Sequence, residues 1–143
     1  MPLAGIVHVK VSERGRFSAP SCFQHAFELG VFICRGFEEG CLFLMPFDTW
    51  TDIRKRLNSI SPTDKSAQTL QRFFGAGSEI WPDSRGRLTI PTGLREFAPI
   101  GREALLVGGI NRVELWSEDA WERHVQEHFT RDALTELMRQ VDL

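Results

Sequence analysis

The chain has 143 residues, 42% of them hydrophobic and 25% charged, with a formal net charge of −2. That is enough for one ordinary domain, or two half-domains sharing a core. It contains no apolar run near the ~20 residues of a membrane span, and its charge argues against a protein that coats nucleic acid non-specifically.

Met1-Pro2-Leu3-Ala4-Gly5 shows no basic segment followed by an apolar one, so no secretory signal and a cytoplasmic location are expected. Ile6–Val11 is rich in β-branched residues and reads as a strand. Ser12-Glu13-Arg14-Gly15 reads as a turn and Arg16–Ala19 as a short return strand, which Pro20 stops because it offers no N–H to a ladder. Ser21–Leu29 places Phe23, Ala26 and Phe27 on one helical face and ends at Gly30. Val31–Arg35 and Cys41–Met45 read as a hairpin across Gly36–Gly40. Pro46 opens a helix with a Trp50, Ile53, Leu57 stripe. Ser61-Pro62-Thr63-Asp64 reads as the start of a connecting helix, with Ser61 as its cap and Pro62 at its first position; Leu70, Phe73 and Phe74 face inward, and it stops at Gly75-Ala76-Gly77.

The pattern then repeats. A strand ends at Glu79-Ile80-Trp81, Asp83–Gly86 turns, Arg87–Ile90 returns, and Thr92–Phe97 is a short helix after Pro91. Ala104–Val107 and Arg112–Trp116 form a second hairpin around Gly108-Gly109-Ile110-Asn111. Ser117 caps a helix carrying Trp121, Val125 and Phe129, and a last helix from about Thr130 shows an apolar stripe of Leu134, Leu137, Met138 and Val141. That stripe must bury itself on this chain or on a partner.

Ser12-Glu-Arg-Gly15-Arg16-Phe-Ser-Ala-Pro20 and Asp83-Ser-Arg-Gly86-Arg87-Leu-Thr-Ile-Pro91 share one design, displaced by 71 positions, the difference between 83 and 12. Gly30 and Gly101, Leu44 and Leu115, Asp48 and Asp119, and Trp50 and Trp121 keep that displacement without a gap. A tandem duplication follows. Each copy alone has too few short strands to bury a core, so an α+β fold is expected, a small β-barrel of two interleaved repeats flanked by helices. The boundaries are 5–50 for repeat 1, 51–75 for connecting helices, 76–121 for repeat 2 and 122–143 for the C-terminal helices.

Asp83-Ser-Arg-Gly-Arg87-Leu-Thr-Ile-Pro91 with Leu94-Arg95, then Leu106-Val107-Gly108, Glu114-Leu115-Trp116 and Trp121, resembles the second half of the MraZ family, and the likeness runs along nearly the whole chain. The resemblance implies a tandem of SpoVT-AbrB-like swapped-hairpin units. It also implies a ring-like homo-oligomer in the nucleoid that binds short direct repeats in double-stranded promoter DNA and represses the division and cell-wall gene cluster. Its Asp-x-x-x-Arg signature is intact at Asp83 and Arg87, whereas the first repeat has Ser12 before Arg16, and Phe23-Gln24 where the family has Phe-Arg. Lys10, Arg14, Arg16, Arg85 and Arg87 are the residues expected on DNA, and Ser12, Gly15, Pro20, Asp83, Gly86 and Pro91 those expected to shape the two turns. An arginine-bearing hairpin tip is narrow enough for a major groove, where arginine grips guanine O6 and N7. Asp83 and Arg87 read equally well as a structural ion pair, and an assembly protein that has lost specific DNA binding is the second reading, motivated by Ser12 and Gln24.

Other motifs point elsewhere less strongly. His124-Val-Gln-Glu127-His128 matches H-x-x-E-H, which elsewhere marks a zinc peptidase helix, but the sequence offers no evident third ligand. Trp50 and Trp121 read as core anchors in equivalent helices, not stacking platforms. Cys22, Cys34 and Cys41 read as reduced, mostly buried thiols, with Cys34 and Cys41 facing across the first hairpin. Neither glycine pair has the flanking lysine of a phosphate loop. No enzyme, cofactor, metal, membrane or small-molecule partner is expected.

Overall fold

The computed structural model describes residues 3–143; Met1 and Pro2, part of the stretch examined for an export signal, lie outside the described residues. The first repeat contributes β1 (Ile6–Lys10), β2 (Arg16–Ser18), α1 (Ser21–Phe27), β3 (Val31–Arg35), β4 (Cys41–Pro46) and α2 (Phe47–Asn58). After the connecting helix α3 (Lys65–Gly75) come β5 (Ser78–Ile80), β6 (Arg87–Thr89), α4 (Thr92–Phe97), β7 (Glu103–Gly108), β8 (Val113–Ser117), α5 (Glu118–His128) and α6 (Arg131–Gln140). The fold is α+β, and every named strand pairing is antiparallel.

The strands form a six-stranded sheet in the order β1-β7-β8-β4-β3-β5, with β1 and β5 at its edges and not paired into the expected barrel, and a separate two-stranded ribbon of β2 and β6. The two repeats exchange strands throughout: β1 lies on β7, β5 on β3, and β2 on β6. Phe17 faces Leu88 in the ribbon and Phe43 faces Glu114 in the sheet, each residue opposite its own counterpart 71 positions on (88 less 17, 114 less 43). A pseudo-two-fold axis therefore passes through both pairs.

Strand alternation sends side chains to two cores. On one sheet face, Val31, Ile33, Leu42, Leu44, Leu106 and Leu115 pack under the ribbon's Phe17 and Leu88 and under α1 and α4. On the other, Phe32, Cys34, Phe43, Met45, Leu105 and Trp116 meet α2, α3 and α5. The sheet is covered on both sides, so β3 and β4 read as nearly continuous apolar runs.

Several expectations are corrected. The ungapped displacement fails in β7: Val31 faces Pro46 and Ala104 faces Ser117, so Ala104, 73 positions on, takes the place of Val31, not Arg102. The displacement returns to 71 at β8 because the second hairpin loop is shorter. Ser61 is not a helix cap, since its hydroxyl is engaged with Thr63 in a turn. Asp64 caps α3 instead, its Oδ1 accepting from the Ala67 N–H at 2.9 Å. Leu70 faces outward, and Leu137 and Met138 on α6 and Val141 just past its end remain exposed. Cys22 is exposed, whereas Cys34 and Cys41 are buried free thiols. Cys34 faces Phe43, not Cys41, and burial pushes its thiol up to about 12 and that of Cys41 higher still.

Trp50 and Trp121 do anchor helices. Trp50 stacks on Phe32 with ring centroids 3.7 Å apart, and Trp121 meets Trp116 at 5.3 Å. Ser117 caps α5 through the Ala120 N–H, as its position before the apolar stripe predicts.

Candidate functional site

The β2–β6 ribbon is where the two copies of the turn-and-strand motif converge. Its register puts Phe17 opposite Leu88 on the core side, both essentially inaccessible. The period of two then puts Arg16, Ser18, Arg87 and Thr89 on the outer side, with Arg16 across from Thr89 and Arg87 across from Ser18. The two arginines thus lie diagonally on one exposed surface, one from each repeat. Because the strands are antiparallel, the turns that carry Arg14 and Arg85 emerge at opposite ends of a ribbon roughly 10 Å long.

The two turns share a backbone plan. The Gly15 N–H donates to the Ser12 carbonyl and the Ser12 N–H to the Arg16 carbonyl, both at 2.9 Å; Asp83, Gly86 and Arg87 repeat these bonds at the same distances. Gly15 and Gly86 hold φ of 80° and 75°, a left-handed conformation that strains any residue with a Cβ. Pro20 and Pro91 each precede the short helix in extended conformation.

The turns differ in what braces them. Asp83 Oδ1 accepts from the backbone N–H groups of Arg85 and Arg87, and Oδ2 accepts from Arg87 Nε, all at 2.9 Å. The Arg87 N–H bond foremost, with the Arg85 N–H and the Arg87 guanidinium behind it, holds the Asp83 carboxyl below the usual carboxylate range. In the first turn the Ser12 hydroxyl keeps one of these bonds, accepting from the Arg16 N–H at 3.1 Å. It carries no charge to pair with the Arg16 guanidinium and makes no bond to it among the described residues.

Support for the first turn comes instead from the second repeat. Arg95 on α4 lies under Gly15 and donates to the Glu13 carbonyl at 2.8 Å, and Arg102 donates to the Glu13 carboxylate at 2.8 Å. A Cβ on Gly15 would meet the end of the Arg95 side chain at 2.7 Å and push it aside, on top of the strain that the positive φ imposes. The counterpart of Arg95 is Gln24, whose side chain lies beneath Gly86 but makes no hydrogen bond among the described residues. Arg95 and Arg102 are contributors that the sequence reading missed as site residues. The vacant arginine position at Gln24 was the signal that its counterpart, Arg95, has a role.

Lys10, Arg16, Arg87 and Arg102 line one open depression of about 600 Å³ beside the ribbon, with Glu13 and Glu103 as its acids. Glu13 is paired with Arg102, and Glu103 sits across from Lys10 in the sheet register. The surface is basic although the chain is not. Arg14 and Arg85 stand apart from this depression at the exposed turn tips, and neither their side chains nor those of Lys10 and Arg16 form an ion pair or hydrogen bond among the described residues.

Residues 73–141 match the model of the family described as "MraZ protein, putative antitoxin-like". The chain is 34% identical over 142 residues to the "Transcriptional regulator MraZ" of Moorella thermoacetica, covering 97% of this chain and 98% of that protein. It is 40% identical over 116 residues to the protein of the same name in Alkaliphilus oremlandii, covering 80% of each. With its counterpart in Saccharopolyspora erythraea it shares 30% identity over 125 residues, 87% of each chain. Similarity at this level along nearly the full length of such relatives means that the chain belongs to the MraZ family.

Proposed function

We propose that this protein is a transcriptional regulator, not an enzyme, and that the outer face of the β2–β6 ribbon is its DNA-binding surface. The relatives' shared name supports the regulatory role. The observation that carries the site is the diagonal pair Arg16 and Arg87 on one exposed ribbon face, with Arg14 and Arg85 at its two ends. In this reading the tandem is of the swapped-hairpin kind, and the ribbon enters the major groove of a promoter. Arginines there read guanine edges, and Lys10 meets backbone phosphate. One ribbon offers few contacts, so a ring-like homo-oligomer on short direct repeats raises affinity through effective concentration. Repression of the division and cell-wall cluster, in the cytoplasm at the nucleoid, completes the proposal.

Fluorescence anisotropy tests it: the chain is titrated onto DNA from upstream of its own gene and onto shuffled DNA, over a salt series. Preferential binding is expected, with log affinity falling against log salt by about 0.9 per phosphate neutralised. Equal, weak binding to both DNAs would instead favour the second reading, an assembly protein of the same fold. The observation behind that alternative is the tie between Arg87 and Asp83, which withdraws one arginine from free solvent.

A further inference from the structure

The helix motif His124-Val-Gln-Glu127-His128 acquires in the fold the third group that the sequence lacked. Glu38, from the loop between β3 and β4, places Oε2 2.8 Å from His124 Nδ1. One turn further along α5, His128 brings its ring centroid to 4.7 Å from that of His124. One donor atom from each of Glu38, His124 and His128 lies within 4.8 Å of the other two. We propose that these three side chains form a binding site for a divalent transition-metal ion of the zinc and nickel class, which clamps α5 of the second repeat to the first hairpin.

The chemistry of the donor set selects that class. Two imidazoles and one carboxylate are borderline ligands suited to zinc and nickel, and three protein groups leave a coordination position for water. Metal–ligand bonds of about 2.0–2.1 Å place tetrahedral donors about 3.4 Å apart, so donors within 4.8 Å of one another close by about 1.4 Å at most, while Glu38 and His124, 2.8 Å apart, open slightly. His124 binds the ion as the neutral imidazole, with its one N–H on the ring nitrogen that does not ligate, and its hydrogen bond with Glu38 gives way to two bonds to the ion.

The site is supported from behind. Gly40 lies on Ala120 at the start of α5, and the Ser117 N–H donates to the Gly40 carbonyl at 2.9 Å. The Cys41 N–H donates to the Glu38 carbonyl at 3.2 Å, which fixes the loop that delivers the carboxylate. Trp116, Trp121 and Phe129 surround the His124 ring, with centroids between 4.9 and 5.9 Å away, and limit its rotation.

The duplication supplies an internal control. His124 and His128 occupy the places of Ile53 and Leu57 in α2, 71 positions earlier (124 less 53, 128 less 57). There an apolar pair meets the fold's packing needs, with Leu57 buried and Ile53 half-buried against the second core. Packing alone therefore does not call for two histidines at these positions in α5.

The test is a titration of the untagged full chain with nickel chloride, followed by tryptophan fluorescence and competed with zinc chloride. Trp116 and Trp121 flank His124, so saturable quenching at one ion per chain with micromolar affinity is expected, reversed by zinc. Glu38→Gln and His128→Gln are each expected to weaken binding at least about tenfold with an unchanged far-UV circular dichroism spectrum. Both side chains are substantially exposed, so neither substitution threatens the core. The proposal is overturned if quenching fails to saturate by millimolar nickel, or if either variant binds as the wild type does.

Discussion

The two turns of this chain share a backbone and differ in how their arginines are held. In the second, Asp83 carries the whole brace and binds the Arg87 guanidinium along with two backbone N–H groups. In the first, Ser12 keeps one backbone bond, and Arg95 and Arg102 of the other repeat supply the rest through Glu13. The losses are complementary: the turn without the aspartate has the arginine beneath it, and the turn without that arginine has the aspartate. One consequence is functional. Arg16 is released from the pairing that holds Arg87, so the first turn presents an unpaired arginine on the ribbon where the second presents a tied one. A second is structural, since each turn's conformation depends on a different part of the chain.

The largest expected effect falls on what the turns share. Phe17 and Leu88 face each other on the pseudo-two-fold axis with almost no exposure, so Phe17→Ala should cost about 3–5 kcal/mol and Leu88→Ala about 2–5 kcal/mol. Urea unfolding checks both, and a loss below 1 kcal/mol, roughly the scale of a surface change, would deny that the ribbon closes the core. Next is the brace. Arg95→Ala should loosen the first turn alone by about 0.5–1.5 kcal/mol, seen as faster amide hydrogen exchange at Gly15 with Gly86 unchanged. Gln24→Arg should do the reverse and slow exchange at Gly86; equal responses at both glycines would break the comparison.

A pH effect separates the turns further. The Asp83 carboxyl titrates below its ordinary value in the folded chain, so its stabilisation is fully present above about pH 3.9 and is lost as pH falls through the folded value. Asp83→Ser should leave the second turn with neither the aspartate nor an arginine beneath it and remove that part of the acid dependence. The readout is the acid limb of thermal unfolding in wild type and variant, and two superimposable limbs would contradict it. The smallest effect is expected at α6. Its apolar residues Leu137 and Met138, and Val141 just past its end, are exposed, so removal of residues 130–143 should leave the β signal of circular dichroism intact.

Much of this was legible in the chain because glycine, proline and capping residues mark element ends by backbone chemistry. Ser117 and the two turn glycines are such marks, and each sits where the sequence puts it. The shift in β7 was not legible. A displacement of two residues returns every side chain of a strand to the same face, so alternation alone does not reveal it, whereas the pairing of Ala104 with Ser117 does. Ser61 misled because Asp64, three residues on, offers a cap of the same chemistry, and only the Ala67 N–H discriminates between them. In the candidate site, the arginines that lie near the turns in sequence were visible. Arg95 under Gly15 and Glu38 beside His124 were not, since each reaches its partner across more than 80 residues of chain. The pairing of Phe17 with Leu88 that puts Arg16 and Arg87 on one surface is likewise a property of the tertiary fold.

The most direct test of the proposal that the ribbon binds DNA is the affinity of Arg16→Ala and Arg85→Ala for the upstream DNA, measured side by side with wild type. Arg16→Ala should lose about 1–3 kcal/mol, the worth of one good arginine–guanine contact, and lose more than Arg85→Ala. Comparable losses from the two substitutions, or none from Arg16→Ala, would contradict the account.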